Sequence, residues 1–548
     1  MHVLLRLAAC VLAGVLTFLS VATFDVWPLM WVALVPLLYA LRERSPGRAF
    51  LYGWLCGLVT NLGGFYWING LLQRFGHMPA VAAVPLWWLL CAYQGLIVAF
   101  FSLFLRLVHR RAPGLPYALT VPVLMVACEL CVPLIFPWYY GISQAWVVPV
   151  IQIADLTGVI GVTFLLMIVN GALYDLIARE PDGLRPAGSG AGGDGNPSRV
   201  PIPQGGRLVG RAFRWRPAAA AAVVVLVALG YGQVRLHQVR ARRAAAPKVK
   251  VGMVQANIGI VEKGRLQLAP KHLKIHQDLS ADLQRRGAQL IVWPESSYPY
   301  WFNRGQAADW SDAKAVRKGF DVPILFGTIT ASRRERFPFN TALMMDREGN
   351  VTGSFDKVFL LIFGEYVPFY AELESTISKY VPEASNFARG KDPTVFPFEQ
   401  YRLGPMICYE DIIPQFGRRL AKLKPHLFVN VTNDAWFGAT SEPYEHMALA
   451  VYRTVEHRVE MVRAVNTGVS AFIDATGRVT KQSRSVDPQL TPDAPPVALL
   501  GEVAMLQPGT VYGAVGDLFG EVCFAAALYL VLVLRRRRRD GLSSSSTP

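Results

Sequence analysis

The sequence predicts a bundle of about eight membrane-spanning α-helices carrying one large water-soluble α/β domain. Three observations lead there. Of 548 residues, 52% are hydrophobic and only 17% charged, against about 25% charged in an ordinary soluble domain. The apolar excess is uneven: residues 1–180 and 513–534 are almost free of charge, whereas 247–511 has a soluble composition. Within 247–511, short apolar runs alternate with helical periodicity, the pattern of an α/β fold.

A helix needs about 20 apolar residues to cross a ~30 Å hydrocarbon core. The stretches that qualify are 3–20, 25–41, 49–69, 80–107, 116–136, 147–178, 217–234 and 513–534. The first has the basic start of a signal peptide at Arg6. It lacks a small-residue cleavage site and a second apolar run follows at once, so it is read as a retained span. The net charge of +16 does not point to nucleic acid, because the arginines sit at the ends of apolar segments rather than on a basic stripe. They gather at Arg42, Arg44 and Arg48, at Arg110 and Arg111, between Arg207 and Arg216, and in the run Arg535–Arg539.

Cytoplasmic loops retain Lys and Arg. Loops 42–48, 108–115 and 179–216 and the tail after 534 are therefore placed inside, and 21–24, 70–79 and 137–146, with only Arg74, outside. Both termini are then cytoplasmic, and the soluble domain lies in the periplasm, outside the inner membrane of a bacterium with two membranes. The basic stretch from Arg235 to Lys250 breaks the bias, although long translocated domains are largely exempt. The expected organisation is a six-helix region at 1–180, a flexible cytoplasmic linker at 181–216, a seventh span at 217–234, the periplasmic domain at 247–511, an eighth span at 513–534 and a basic tail at 535–548. The segment AGSGAGGDG at 187–195 lacks the Gly-Lys-Ser/Thr of a phosphate-binding loop and belongs to the linker.

In the soluble domain the apolar runs Val249–Gln255, Leu290–Trp293, Pro323–Thr328, Thr341–Met345, Pro405–Cys408, Leu427–Val431 and Ala471–Asp474 are expected strands around a central sheet. Helical patterns cover His272–Arg286 and Tyr444–Val465. On the second, His446, Arg453, Glu456 and Arg458 suggest either a solvated or salt-bridged helix or a substrate contact. Of seven cysteines, Cys10, Cys56, Cys91, Cys128, Cys131 and Cys523 lie in apolar spans, where Cys packs as a small hydrophobe. The pair Cys128 and Cys131 has only Glu129 nearby, so packing is preferred to metal or redox chemistry. No His, Cys or Asp cluster shows ligand spacing, and neither metal nor cofactor is expected.

Cys408 differs, being the lone cysteine of the exported domain and unpaired in an oxidising compartment. It is either an inert core residue or a nucleophile at the carboxyl end of a strand, running into Glu410 and Asp411. Glu295 follows a strand ended by Pro294, and Lys357 lies in the apolar setting FDKVFLLIF. An unpaired buried charge costs several kcal/mol. Either Glu295 and Lys357 pair beside the thiol, or they make two unrelated salt bridges around a core cysteine. A nearby cation lowers a thiol pKa and a carboxylate can take its proton. The aromatic clusters Tyr298–Phe302, Phe359–Phe363 with Phe369 and Tyr370, and Trp436 with Phe437 fit membrane contact or core packing.

Taken in order, Trp293-Pro294-Glu295-Ser296, Lys357 followed by Gly364-Glu365-Tyr366-Val367-Pro368, and Cys408-Tyr409-Glu410 resemble the Glu-Lys-Cys segments of the carbon–nitrogen hydrolase (nitrilase) superfamily. FGEYVP, Asn433–Gly438 and Asn466–Gly468, with the flanking spans, resemble the apolipoprotein N-acyltransferase family. The resemblance implies a nitrilase-like α-β-β-α sandwich. It implies Cys408 as nucleophile, Glu295 as general base, and Lys357, with the Tyr409 N–H, as oxyanion stabiliser. Glu365 would hold Lys357, and Tyr409 and Glu410 would shape the pocket or seat an amine. The implied reaction moves a fatty acyl group from the sn-1 position of a phospholipid, phosphatidylethanolamine by expectation, through a Cys408 thioester. The acceptor is the α-amino group of a diacylated apolipoprotein, and the enzyme is expected to act as a monomer. Two segments depart from the family: Phe359–Phe363 replaces a His-Leu-Val-Pro-Phe pattern, and Lys263 is followed by Gly264 rather than Trp. The alternatives are a membrane-tethered amidase with the same triad, and a receptor or transporter with an inactive external domain. The latter needs ionisable residues along the spans, where Glu129 and Asp155 stand out.

Overall fold

A computed structural model describes residues 3–22, 24–74, 76, 78–178, 215–361, 364–366, 386–488, 490–491 and 494–540, with side chains described up to 532. The expected linker, apart from Trp215 and Arg216, lies outside these residues, as do Phe363, Phe369, Tyr370 and the end of the basic tail. Every expected span contains helix: Val3–Leu19, Val35–Leu41, Pro46–Gly64, Ala80–Gln94 continuing as Leu96–Arg111, Tyr117–Cys131, Val159–Ile177, Trp215–Ala245 and Leu518–Asp540. Among the described residues, three helical runs are long and apolar enough to cross a membrane: Ala80–Arg111, Val159–Ile177 and Trp215–Ala245.

The stretch 147–178 is not one helix. It is broken into Val148–Ile151, Ala154–Thr157 and Val159–Ile177. Gly158 makes the break at φ +70°, and a Cβ there would lie 2.7 Å from the Tyr512 ring. At the break Asp155 is buried and accepts from the Tyr231 hydroxyl at 2.6 Å, Arg235 at 2.9 Å and Arg458 at 2.7 Å. Glu129 accepts the Tyr140 N–H at 2.7 Å. Both acids are thus engaged by the protein's own donors. The basic stretch that offends the charge bias is also accounted for: Arg235 pairs with Asp155, and Arg243 meets Glu460 at 2.5 Å.

The soluble domain contains β1 (Lys248–Gln255), β2 (Leu290–Val292), β3 (Trp301–Asn303), β4 (Ile324–Ala331), β5 (Phe339–Met345), β6 (Val351–Asp356), β7 (Phe396–Phe398), β8 (Tyr401–Ile407), β9 (Leu427–Thr432), β10 (Glu460–Val465), β11 (Ala471–Ile473), β12 (Val479–Gln482) and β13 (Val497–Ala504). They form two sheets rather than the single central sheet expected from alternation. One runs β13-β1-β2-β4-β5-β6 with β3 beside β4, and the other β12-β11-β10-β9-β8-β7. The sheets pack face to face through β1 on β10 and β5 on β8. The helix Ala269–Arg285 covers the outside of the first, and Pro414–Ala421 with Glu442–His457 the outside of the second. This is the α-β-β-α sandwich that the resemblance implies.

The helical pattern expected over 444–465 covers two elements. Arg458 at φ +57° ends the helix Glu442–His457, and the chain turns directly into β10. Every residue of β10 is buried, so no alternation marks it as a strand. In β1, Val251 and Met253 point into the space between the sheets and Val254 points out to the Ala269–Arg285 helix. The inter-sheet core is continuous with the apolar interior of the helical bundle, so the two parts share one core. Each fully buried aliphatic side chain in it contributes about 1.5–3 kcal/mol.

Candidate active site

Strand direction brings the three candidate residues together. β2 and β4 are parallel, and β4, β5 and β6 alternate, so β2 and β6 end at the same edge. Glu295 follows β2 and Lys357 follows β6 at that edge. Cys408 follows β8, which runs parallel to β9 in the facing sheet. Open α/β sheets bind ligands beyond the carboxyl ends of their strands, and here two sheets contribute.

Lys357, only 2% exposed, lies with Nζ 2.7 Å from Glu365 Oε2 and 3.4 Å from Glu295 Oε1. Of the two relief schemes left open by the sequence, Glu295 and Lys357 pair with each other, and Glu365 joins them. Asn340 on β5 ties both acids down, its Nδ2 donating to Glu295 Oε1 at 2.7 Å and Glu365 Oε1 at 2.8 Å, while its carbonyl accepts the Lys357 N–H at 2.9 Å. Lys263 donates to the Glu295 carbonyl at 2.9 Å. The sequence reading gave neither a place in the site. Asn340 had a signal, an amide in the largely apolar strand FNTALMM; Lys263 was noted only for the Gly264 that stands where the family has Trp.

The thiol sits on a left-handed turn, with Cys408 at φ +53°, a conformation rare outside glycine. Asn430 Nδ2 holds its carbonyl at 3.0 Å. Glu410, expected to shape the pocket or seat an amine, is instead a fully buried staple. It accepts the backbone N–H groups of Ile407 at 2.8 Å, Val358 at 2.6 Å and Phe359 at 3.2 Å, so the Lys357 loop and the Cys408 turn share one carboxyl. Burial pushes that carboxyl up to about 8 against these donors. Burial also drives the Cys408 thiol well above its usual range; Lys357 opposes this, while Glu295 and Glu365 add to it. Burial disfavours the Lys357 ammonium, but the charges of Cys408, Glu295 and Glu365 outweigh it and keep Lys357 protonated. The resting site therefore holds a neutral thiol beside a charged lysine, and deprotonation needs a base.

Behind Cys408 lies a second set of buried charges. His446 Nε2 meets Asp411 at 2.9 Å and its Nδ1 meets Asp434 at 3.2 Å; Arg463 reaches Asp411 at 3.4 Å and Asp434 at 3.3 Å. Burial and Arg463 pull the His446 pKa down, yet the two aspartates prevail and raise it to about 9. Of the options left open for the helix carrying His446, Arg453 and Glu456, the salt-bridged one holds: all three are buried, and Arg453 pairs with Glu456 at 2.7 Å. Asp434, Glu442 and His446 bring ligand atoms within 4.8 Å of one another, a grouping overlooked although Glu442 and His446 are one helical turn apart. Within it, His446 and the nearby Arg463 are already engaged by Asp434 and by Asp411.

The motif glycines and amides tie these parts together. Gly468 adopts φ +106°, and a Cβ on it would lie 2.6 Å from Asp434 Oδ2. Asn466 cross-links the segments after β1 and β9, donating to the Ile258 carbonyl at 2.8 Å and to Asn433 Oδ1 at 3.0 Å. Of the aromatic candidates, Tyr298, Phe302 and Phe437 are core, whereas Trp301 is 63% and Trp436 40% exposed.

Residues 13–172 match the family of the apolipoprotein N-acyltransferase N-terminal domain, and residues 250–490 match carbon-nitrogen hydrolase. Over 535 residues the chain is 31% identical to the apolipoprotein N-acyltransferase of Geobacter metallireducens, covering 96% of this chain and 95% of that one. The proteins of the same name from Bdellovibrio bacteriovorus and Pseudomonas putida are 27% and 28% identical, with 85% and 91% of their lengths covered. The similarity therefore runs through both the helical and the sandwich regions of this chain, and the chain belongs to the apolipoprotein N-acyltransferase family.

Proposed function

We propose that this chain transfers a fatty acyl group from the sn-1 position of a membrane phospholipid to the α-amino group of a diacylated apolipoprotein, with Cys408 as nucleophile. The observation that carries the reading is the convergence of Glu295, Lys357 and Glu365 on a buried thiol in a member of this family. Glu295 takes the thiol proton as sulfur attacks the ester carbonyl. Lys357, with the Tyr409 N–H, stabilises the tetrahedral oxyanion, a kind of contact whose loss costs about 10²–10³ in rate. The carbon–oxygen bond breaks, Glu295 returns the proton to the leaving lysophospholipid oxygen, and a thioester remains. The acceptor ammonium then gives one proton to Glu295, which releases it to solvent. The nitrogen attacks the thioester, and Glu295 carries its second proton to the departing sulfur, so that Cys408 leaves as the thiol and Glu295 is again a carboxylate. Splitting one hard transfer into two is the logic of covalent catalysis.

The arrangement in the membrane belongs to the same reading. Eight helical spans hold both termini in the cytoplasm and the sandwich in the periplasm, against the inner membrane that carries both lipid substrates. Phosphatidylethanolamine is the proposed donor. No cofactor enters the scheme, and one chain holds every group it uses. Intact-mass spectrometry after incubation with phosphatidylethanolamine tests it. A hydroxylamine-labile gain of one acyl chain, absent in Cys408→Ser, supports the thioester. No adduct while Cys408 still alkylates shifts the reading to an amidase, with water in place of the amine.

A further inference from the structure

The residue after the nucleophile is gripped from three sides, and none of the grips belongs to the triad. The Tyr409 ring stacks on the His446 imidazole at 4.5 Å and 18°. Its hydroxyl donates to Glu442 Oε1. Its remaining side meets Phe437 at 6.2 Å and Phe136 at 6.4 Å, and both of these rings pack on Trp67. Tyr409 stands where the bundle, the loop after β9 and the Cys408 turn meet.

Charge balance decides the state of the grips. His446 faces a carboxylate with each ring nitrogen, so both carry protons and the ring is an imidazolium. With Arg463 it balances Asp411 and Asp434. A Glu442 carboxylate would then be an excess buried charge, costly by several kcal/mol. Its Oε2 has no hydrogen-bond partner among the described residues. Burial first, and Asp434 next, raise the Glu442 pKa well above the carboxylate range, outweighing His446, Tyr409 and Arg463. The helix that carries Glu442 and His446 is also fixed to the bundle, where Glu445 accepts from Trp67 Nε1 at 3.4 Å and Glu456 accepts the Val159 N–H at 3.1 Å.

Building on Cys408 as nucleophile, we propose that Glu442, as a neutral acid, and His446, as an imidazolium, are positioning residues that clamp Tyr409 and thereby fix the left-handed turn presenting the Cys408 thiol. Neither touches substrate. The clamp refers the thiol to a helix seated on the bundle, so the nucleophile is aligned only when sandwich and bundle are docked.

The test uses the full chain purified in detergent. The rate of acyl-adduct formation is followed by intact mass across phosphatidylethanolamine concentrations, and iodoacetamide alkylation of Cys408 is followed in parallel. Glu442→Ala is expected to lower the maximal rate about 10–100-fold, to slow alkylation, and to leave the half-saturating donor concentration unchanged. Glu442→Gln should recover most of that loss. Tyr409→Phe should match Glu442→Ala, and the double variant should be no slower, because one contact is shared. A Gln variant as slow as Ala overturns the proposal, since charge would then matter. So do additive losses, or an effect confined to half-saturation. Failure of the nucleophile reading looks different: the unsubstituted chain forms no adduct, while the alkylation order of the variants still tests the clamp. Tyr409→Phe keeps the test intact if Glu442→Ala does not fold.

Discussion

Gly327, in the middle of β4, offers a sharp test of how the base is held. A Cβ at this position would lie 2.6 Å from the Glu295 Cα, 2.6 Å from the Pro294 carbonyl oxygen and 2.6 Å from the Ser296 nitrogen. All three are backbone atoms, so no flexible side chain can swing aside. The segment is also pinned to the strand, with Gly327 N–H donating to Pro294 at 3.1 Å and Ser297 N–H donating to Gly327 at 2.9 Å. Relaxing the contact to an ordinary 3.4 Å displaces the Glu295 backbone by roughly 0.8 Å. Overpacking of this kind costs about 1–3 kcal/mol of stability, and a misplacement near 1 Å costs about 10²-fold in rate. Gly327→Ala should therefore remain folded while forming the Cys408 adduct about 100-fold more slowly. Intact mass gives the rate and thermal unfolding in detergent gives the fold. Gly509→Ala is the control, since a Cβ there meets nothing within 4 Å. A Gly327→Ala rate within twofold of the unsubstituted chain would refute the claim that Glu295 must keep this position.

Glu365→Gln removes the closest anion from Lys357; adduct formation is expected to fall about 10²-fold or more while Cys408 still alkylates with iodoacetamide. His446 contributes to stability through a pKa raised from 6.5 to about 9. Its contribution is complete below pH 6.5 and is lost as pH rises through 9. The melting temperature should thus fall over that window, and His446→Gln should flatten the fall. Replacing Trp301 and Trp436 together by Ala should slow acylation from lipid vesicles more than alkylation of Cys408; equal losses in both assays would indicate misfolding instead.

The candidate triad stood out because each member breaks a local rule: an acid at a proline-ended strand, a lysine among phenylalanines and a lone thiol in a domain expected to be exported. The residues alone left a core cysteine with two unrelated salt bridges equally open, and the family resemblance decided between them. The buried strands β1, β4, β5, β8 and β9 were legible as well. Periodicity alone did not separate the second sheet from the first, although the family resemblance implied two. In the second sheet β12 carries polar side chains on an exposed edge, β7 is three residues long, and β10 is buried on both faces directly after a helix. Periodicity fails in all three cases, each for its own reason. The roles of Asn340, Lys263 and Glu442 were not legible because their work is done across the fold, between residues 32 to 45 positions apart. The charges of the His446 segment left a solvated helix, a salt-bridged helix and a substrate contact all open; only the partners at Asp411, Asp434 and Asp155 show that the charges are internal and paired.

The helix Trp215–Ala245 has 31 residues, a length of about 46 Å at 1.5 Å per residue. The hydrocarbon core it would cross is only ~30 Å thick. In the proposed arrangement its last turns rise clear of the lipid, and Arg235 and Arg243 clip them to Asp155 and Glu460. Only Ala246 and Pro247 separate its end from β1. The helix is thus a ruler that sets the altitude of the sandwich above the bilayer surface. If the proposed arrangement and the proposed nucleophile hold, membrane thickness becomes a variable of catalysis: a thicker bilayer swallows part of the ruler and lowers Cys408 toward the ester carbonyls, and a thinner one lifts it away.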